Sequence, residues 1–202
     1  LWGSCWEGGA APAFWPWNSA LRRWMDHYPE AEILAAAGPL GAELAHVFPV
    51  LRDRLPRVLS SVGREPDRAR FRLFEIAGRF LSAIARPAGL LVVLDDLQWA
   101  DRPSLELLEF LAAELAEAPI LVIATYRDTE VQRGDPLLAT LSALARESTT
   151  RRLDVAGLSA ESCTRWVEAT ALPGDPGTLG RELHRETNGN PFFLGEIVCS
   201  MA

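Results

Sequence analysis

The stretch that decides the fold runs from Leu90 to Asp101, Leu90-Leu91-Val92-Val93-Leu94-Asp95-Asp96-Leu97-Gln98-Trp99-Ala100-Asp101. An unbroken apolar run without polar alternation is what a strand buried on both faces of a parallel sheet requires. Two carboxylates follow at once. Ligands of open α/β sheets bind just outside the carboxyl ends of the strands, so Asp95 and Asp96 stand where a site would form. A carboxylate fixed there can hold Mg²⁺ through water, and a second acid beside it can take a proton from an attacking water. Neighbouring strand residues point to opposite sides, which divides the two tasks between them. The same pair can equally serve to cap the segment that follows.

Outward from this stretch the pattern repeats. Asp101-Arg102-Pro103 supplies an N-cap and a first-turn proline, predicting a helix over Ser104–Ala116. Ile120 to Tyr126 reads as a second buried strand, ending in Thr125, Tyr126 and Arg127 at the same sheet edge. Arg127 can meet a terminal phosphate as a planar fork, or pair with Asp128 or Glu130 on the surface. Asp135-Pro136 repeats the cap-then-proline device before a helix over Leu137–Arg146, and Arg151–Val155 reads as a third, half-polar strand. Strand–helix–strand–helix–strand with short connections predicts an α/β fold, an open parallel sheet with flanking helices joined by right-handed crossovers.

After Gly157 the strand signals stop. Ser159 caps one helix, Leu172–Gly177 breaks the chain, Thr178 starts another, and Asn188-Gly189-Asn190-Pro191 hands over to a last. The expected division is an α/β domain over 1–157 and a small helical subdomain over 158–202. At the other end, Leu1–Glu7 reads as the end of a strand, and the Gly- and Pro-rich residues up to Trp17 as irregular, with Phe14, Trp15 and Trp17 needing burial. Trp2 and Trp6 are likewise expected to pack. A helix follows over Asn18–Tyr28, then short helical pieces from Pro29 to Leu59. Ser60–Pro66 is the best linker candidate. Asp67 reads as the N-cap of a helix reaching about Ala85, with Phe71, Phe74, Ala77, Phe80, Leu81 and Ile84 on one stripe.

Composition narrows the function classes. The 202 residues are 49% hydrophobic and 23% charged, which excludes wholesale disorder. A net charge of -7 disfavours sequence-independent nucleic-acid binding. No apolar run approaches the ~18 residues of a membrane span. Cys5, Cys163 and Cys199 are far apart and form no CxxC pair, as expected of buried or idle thiols in a reducing cytoplasm. All 20 positive charges are Arg. Without Met or a leader at its start, the chain is expected to be an internal piece of a longer protein.

Leu90–Asp101 resembles an extended Walker B element, Ala124–Asp128 the sensor strand that follows it, and Gly189–Leu194 the Gly-x-Pro turn of a helical lid. With the aromatic Trp6–Trp17 segment, they resemble the STAND class of AAA+-related P-loop ATPases. The closest likeness is to the ATPase domains of large LuxR-type bacterial regulators and of adenylate-cyclase- or kinase-associated ATPases. The resemblance implies an incomplete P-loop NTPase-like fold with a helical lid, ATP or ADP and Mg²⁺ as cofactors, and a switch that ATP closes and hydrolysis resets. It implies that Asp95 assists Mg²⁺, that Asp96 orients the attacking water, and that Arg127, with Thr125 beside it, reports the γ-phosphate. Gly189 and Pro191 would touch the adenine or the hinge, while Trp99 and Asp101 pack and cap the next helix.

The departure is the GxxxxGK[ST] loop, whose backbone N–H groups and Lys hold the phosphates. These residues contain neither the loop nor any Lys, so the loop is expected just upstream of Leu1, and the chain alone is expected neither to hydrolyse ATP nor to bind it tightly. The expected partners are nucleotide, DNA only through a separate module, and a second copy on ATP binding, with no membrane and a cytoplasmic location. Two other readings remain open: a non-catalytic interaction module on a degenerate NTPase fold, and a DNA-processing AAA+ ATPase of the origin-recognition type.

Overall fold

The computed structural model describes residues 1–8, 11–54, 66–114, 116–170 and 172–201. The chain divides into two compact units, Leu1–Arg151 and Arg152–Ala202.

The first unit is built on three strands, β1 (Trp2–Ser4), β2 (Leu90–Asp95) and β3 (Ile120–Ala124), in the order β1-β2-β3 with both pairings parallel. The register sets Gly3 beside Leu94 and Ser4 beside Asp95, and runs from Leu90 beside Ile120 to Leu94 beside Ala124. The carboxyl ends of β2 and β3 are therefore adjacent. Helices follow as α1 (Trp15–Met25), α2 (Glu30–Ala37), α3 (Gly41–Val47), α4 (Val50–Arg54), α5 (Pro66–Ala85), α6 (Arg102–Glu114) and α7 (Pro136–Leu144).

One apolar core joins these elements, with Trp17, Leu21 and Met25 of α1, Phe74, Phe80 and Leu81 of α5, Val92 and Leu94 of β2 and Leu107 of α6 all buried. Emptying any of the large sites, for example Leu94→Ala, costs about 2–5 kcal/mol. The expectation that Gly and Pro keep Trp15–Trp17 irregular is corrected. Pro16 sits in the first turn of α1, where its missing N–H breaks no hydrogen bond, so the helix starts at Trp15 and ends at Met25. The linker at 60–66 falls, Pro66 apart, outside the described residues, as does the side chain of Asp67. The stripe of α5 is buried at Phe74, Ala77, Phe80 and Leu81 but exposed at Phe71.

The middle of β2, Val92 to Leu94, is buried on both faces as expected, but Leu91 and β3 are not. Alternation puts Leu91 and Val93 of β2, Leu121 and Ile123 of β3 and Trp2 of β1 on one face, and there Leu121 is 61% and Ile123 45% exposed. Arg151–Val155 also forms no strand. Leu153 is 84% and Val155 95% exposed, and Arg152 turns onto Asp154 at 2.9 Å within the segment itself. A short half-polar segment becomes a strand only when a neighbouring ladder takes up its backbone groups.

The second unit packs α8 (Ala160–Thr170), α9 (Pro176–Thr187) and α10 (Pro191–Met201) around Cys163, Val167, Leu183, Leu194 and Val198. Ser159 accepts from the Ser162 N–H at 3.2 Å, the expected cap of α8. α9 starts at Pro176 rather than Thr178, with Asp175 as its cap. Asp175 accepts both the N–H and the hydroxyl of Thr178, at 2.8 and 2.7 Å, and Pro176 opens the helix.

Candidate functional site

Thr125 is the hub where β2 and β3 end. Its hydroxyl donates to Asp95 Oδ1 at 2.5 Å and accepts the Asp96 N–H at 3.0 Å. Its carbonyl accepts the Leu97 N–H at 2.8 Å, and its own N–H donates to the Leu94 carbonyl at 3.0 Å. β1 joins the same edge through the Cys5 N–H, which donates to the Asp95 carbonyl at 2.9 Å.

At Asp96 the backbone leaves the strand in the left-handed region, with φ 60° and ψ 51°. That conformation costs most non-glycine residues about 1–2 kcal/mol, and aspartate is among the side chains that tolerate it best. It starts a 3-10 turn over Leu97–Trp99, which brings Gln98 back over the strand tips. Gln98 Nε2 donates to Asp96 Oδ1 at 3.0 Å, and the Arg127 N–H donates to Gln98 Oε1 at 3.1 Å.

The Arg127 side chain lies along this edge, with Nε 3.7 Å from Asp96 Oδ1 and NH1 donating to Glu130 Oε1 at 2.9 Å. The hydrogen bond and charge of Glu130, then the charge of Asp96, raise the guanidinium pKa further and keep it cationic. Asp95, Asp96, Thr125 and Arg127 thus come together at one edge, with Arg127 nearer to Asp96 than the two strand ends alone imply. Gly189 and Pro191 belong to the second unit. There Asn188 and Gly189 take positive φ, 49° and 71°, and Asn190 Oδ1 accepts the Phe192 N–H at 3.0 Å as Pro191 opens α10.

One participant escaped the sequence reading. Gln98 carries no motif of its own, and only the turn that folds it back reveals it, whereas the Arg127–Glu130 pair is the surface pairing that the sequence offered as the alternative. Trp99 is not packed away either. It lines a cavity of about 620 Å³ together with Trp6, Gln98, Glu130, Arg133 and Asp135, and Trp2 and Trp6 are exposed rather than buried. Asp101 does cap α6, accepting the Ser104 N–H at 2.9 Å.

The donor set suits a hard divalent cation only in part. Asp95, Asp96 and Thr125 offer oxygen alone, as Mg²⁺ prefers, but among the described residues no three His, Cys, Asp or Glu side chains converge to hold a metal. An ion bound through one or two carboxylates, with water and phosphate oxygens completing its shell, fits this arrangement; a closed protein cage does not.

With that geometry in place, the comparison with known families is decisive on class. The family model for the AAA ATPase domain matches residues 9–123, more than half of the chain. The chain belongs to this family, a nucleotide-binding ATPase-type module of the P-loop class, and such domains bind ATP or ADP with Mg²⁺. The match takes in β2 and most of β3 and stops just before Thr125 and Arg127. No curated protein matches the chain, and no solved structure does. Among the described residues no helix is long and apolar enough to cross a membrane.

Proposed function

We propose that this domain is the ATP-dependent switch of a STAND-type signalling or transcription-regulatory protein. The observation that carries the reading is the Thr125–Asp95 hydrogen bond of 2.5 Å, which locks the polar ends of two adjacent parallel strands into one surface. Mg²⁺, when bound, supplies the charge that neutralises the nucleotide phosphates. Asp95, held by Thr125, would hold the ion through water. Asp96, turned out of the strand, orients and deprotonates the attacking water, and Arg127 offers its guanidinium to the terminal phosphate. The helical second unit, with Gly189 and Pro191, takes the part of the lid.

These 202 residues contain no Lys and no GxxxxGK[ST] run, so the proposed site meets the phosphates with Arg127 and Thr125 and without a P-loop lysine. The chain by itself is therefore proposed to hold Mg–ATP only in the millimolar range and not to turn it over. Titration of labelled chain with Mg–ATP, followed in ¹H–¹⁵N spectra, tests both points. Millimolar nucleotide should move the amides of Asp96, Leu97, Thr125 and Arg127, and Asp95→Asn or Arg127→Ala should weaken the effect. Spectra unchanged at these positions sink the nucleotide reading, and micromolar binding in calorimetry overturns the claim that these residues hold the phosphates only weakly.

A further inference from the structure

We propose that Gln98 is a positioning residue of this edge: its carboxamide holds the Asp96 carboxylate and the Arg127 backbone at the same time, and so keeps the Asp96–Arg127 ion pair open at 3.7 Å, short of a direct hydrogen bond. The proposal rests on the reading of Asp96 and Arg127 as the working pair.

The geometry is specific to an amide. A carboxamide carries donors on one arm and an acceptor on the other. Nε2 meets the carboxylate of Asp96 at 3.0 Å, and Oε1 meets the N–H of Arg127 at 3.1 Å. Reversing the amide would set oxygen against carboxylate and nitrogen against N–H, so the surrounding groups fix its orientation. The backbone beneath it is held as well. The Trp99 N–H donates to the Asp96 carbonyl at 3.0 Å and the Ala100 N–H to the Leu97 carbonyl at 3.0 Å, closing the turn on both sides of Gln98.

The consequence appears in the distance that stays open. Arg127 Nε stands 3.7 Å from Asp96 Oδ1, too far for a hydrogen bond. Opposite charges this close attract, and nothing covalent stops them from moving together. Gln98 Nε2 donates to that same oxygen, while Gln98 Oε1 fixes where the Arg127 backbone begins. Asp96 thereby gains a neutral donor, and the guanidinium makes its hydrogen bond to Glu130 while staying 3.7 Å from Asp96. A closed Asp96–Arg127 pair would cancel the charge that each needs for water and phosphate respectively. Leu or Glu at position 98 could not do this. Leu offers no donor, and a second carboxylate would repel Asp96.

The test needs no bound nucleotide. In ¹H–¹⁵N spectra of the full chain, the Arg127 Nε–Hε resonance reports what the guanidinium touches. With Gln98 present, Asp96→Asn should move it little, because Arg127 is held off the carboxylate. In a Gln98→Leu background the pair closes, and Asp96→Asn should then move the resonance about threefold further or more, a non-additivity that a purely structural role would not create. The Arg127 amide should also exchange about tenfold faster in Gln98→Leu, having lost its acceptor. Gln98→Ala provides the same comparison if the leucine variant fails to fold, as judged by the Thr125 and Leu97 amides. Equal displacement by Asp96→Asn in both backgrounds overturns the proposal and leaves the nucleotide reading standing on the Mg–ATP shifts. Absence of those shifts, with the Gln98-dependent displacement intact, overturns the nucleotide reading and leaves Gln98 as the spacer of the pair.

Discussion

The carboxylate of Asp101 accepts the backbone N–H of Trp15 at 3.1 Å, across 86 residues of sequence. The same group accepts the Phe14 N–H at 2.8 Å and the N–H and hydroxyl of Ser104 at 2.9 and 2.7 Å. One side chain therefore terminates two helices, α1 and α6, and meets the positive end of both dipoles. Phe14, at the N-cap of α1 with φ 61°, brings no capping side chain of its own, so the loan from Asp101 matters there. Asp101→Ala should destabilise the first unit by about 2–4 kcal/mol, roughly two caps plus an orphaned hydroxyl. Asp101→Asn, which keeps one acceptor oxygen, should lose about half of that. Urea denaturation monitored by tryptophan fluorescence gives the numbers, and a loss under about 0.5 kcal/mol for the alanine variant would remove the double cap from the argument.

Thr125 is the next point of leverage. Its hydroxyl both donates to Asp95 and accepts from the Asp96 N–H, so Thr125→Val strips two hydrogen bonds while nearly keeping the volume. A cost of about 1–2 kcal/mol is expected, and Thr125→Ser should recover most of it. The same valine variant should lose the protection of the Asp96 amide against hydrogen exchange. If that amide stays protected in the valine variant, Thr125 is not its partner in solution.

The thiols separate by environment. Burial, followed by the charges of Asp101, Asp96 and Asp95, pushes the Cys5 thiol up to about 12, and burial also raises Cys163. At pH 8 only about one Cys5 in ten thousand is then a thiolate. Cys199 is exposed. Iodoacetamide at pH 8 should therefore label Cys199 within minutes and leave Cys5 and Cys163 unlabelled in the folded chain, while urea makes all three equivalent. Peptide mapping by mass spectrometry decides it, and prompt labelling of Cys5 in the native chain would contradict the buried, acid-flanked setting.

Asp175 links the second unit to pH. Its hydrogen bonds from the hydroxyl and N–H of Thr178, and then the Arg181 charge, hold its pKa below the ordinary 3.8. A depressed folded-state pKa means that the cap contributes stability above the unfolded value and loses it as pH falls through the folded one. The Thr178 amide should thus lose protection in acid below the ordinary carboxylate range, and not between neutrality and pH 5. In Asp175→Ala the protection should already be low at neutral pH and nearly flat below it. A full acid response in the alanine variant would assign the effect to another group.

How far the sequence reaches can be judged from particular elements. β2, its two acids and the cap-then-proline starts of α6 and α7 are legible because each rests on local chemistry: an apolar run, a short acceptor side chain, a fixed proline φ. Arg151–Val155 misleads because strand formation depends on a neighbour, and a half-polar pentapeptide carries no information on whether one is there. The open sheet face is hidden for the same reason, since Leu121 and Ile123 look like core residues until their neighbours are known. At the site, Asp95, Asp96, Thr125 and Arg127 stand out as polar groups at strand ends. Gln98 does not, because its meaning lies in the left-handed backbone of Asp96, and nothing in an aspartate's neighbours announces a positive φ.

Gly3 shows how a single missing carbon sets the stacking of β1 on α1. A Cβ built there would stand 1.9 Å from the Pro16 carbonyl oxygen and 3.2 Å from Ala20 Cβ. The first of these is backbone, in a helix turn pinned by Asp101 and by Trp17, whose indole N–H donates to the Ser104 carbonyl at 3.2 Å. It has nowhere to retreat. Gly3→Ala should therefore force β1 and α1 apart and cost about 2–3 kcal/mol or more, at the upper end of overpacking changes. Ala20→Gly in the same chain relieves only the side-chain contact and should not rescue it, which separates a backbone clash from ordinary crowding. Gly38→Ala, at φ +56° and ψ −153° with open space around it, is the contrasting control: its cost should be about 1–3 kcal/mol and arise from backbone conformation alone, so that changing a neighbour does not alter it. Thermal melts of the three variants give the ranking, and a Gly3→Ala chain as stable as the parent would show that β1 does not sit this close to Pro16.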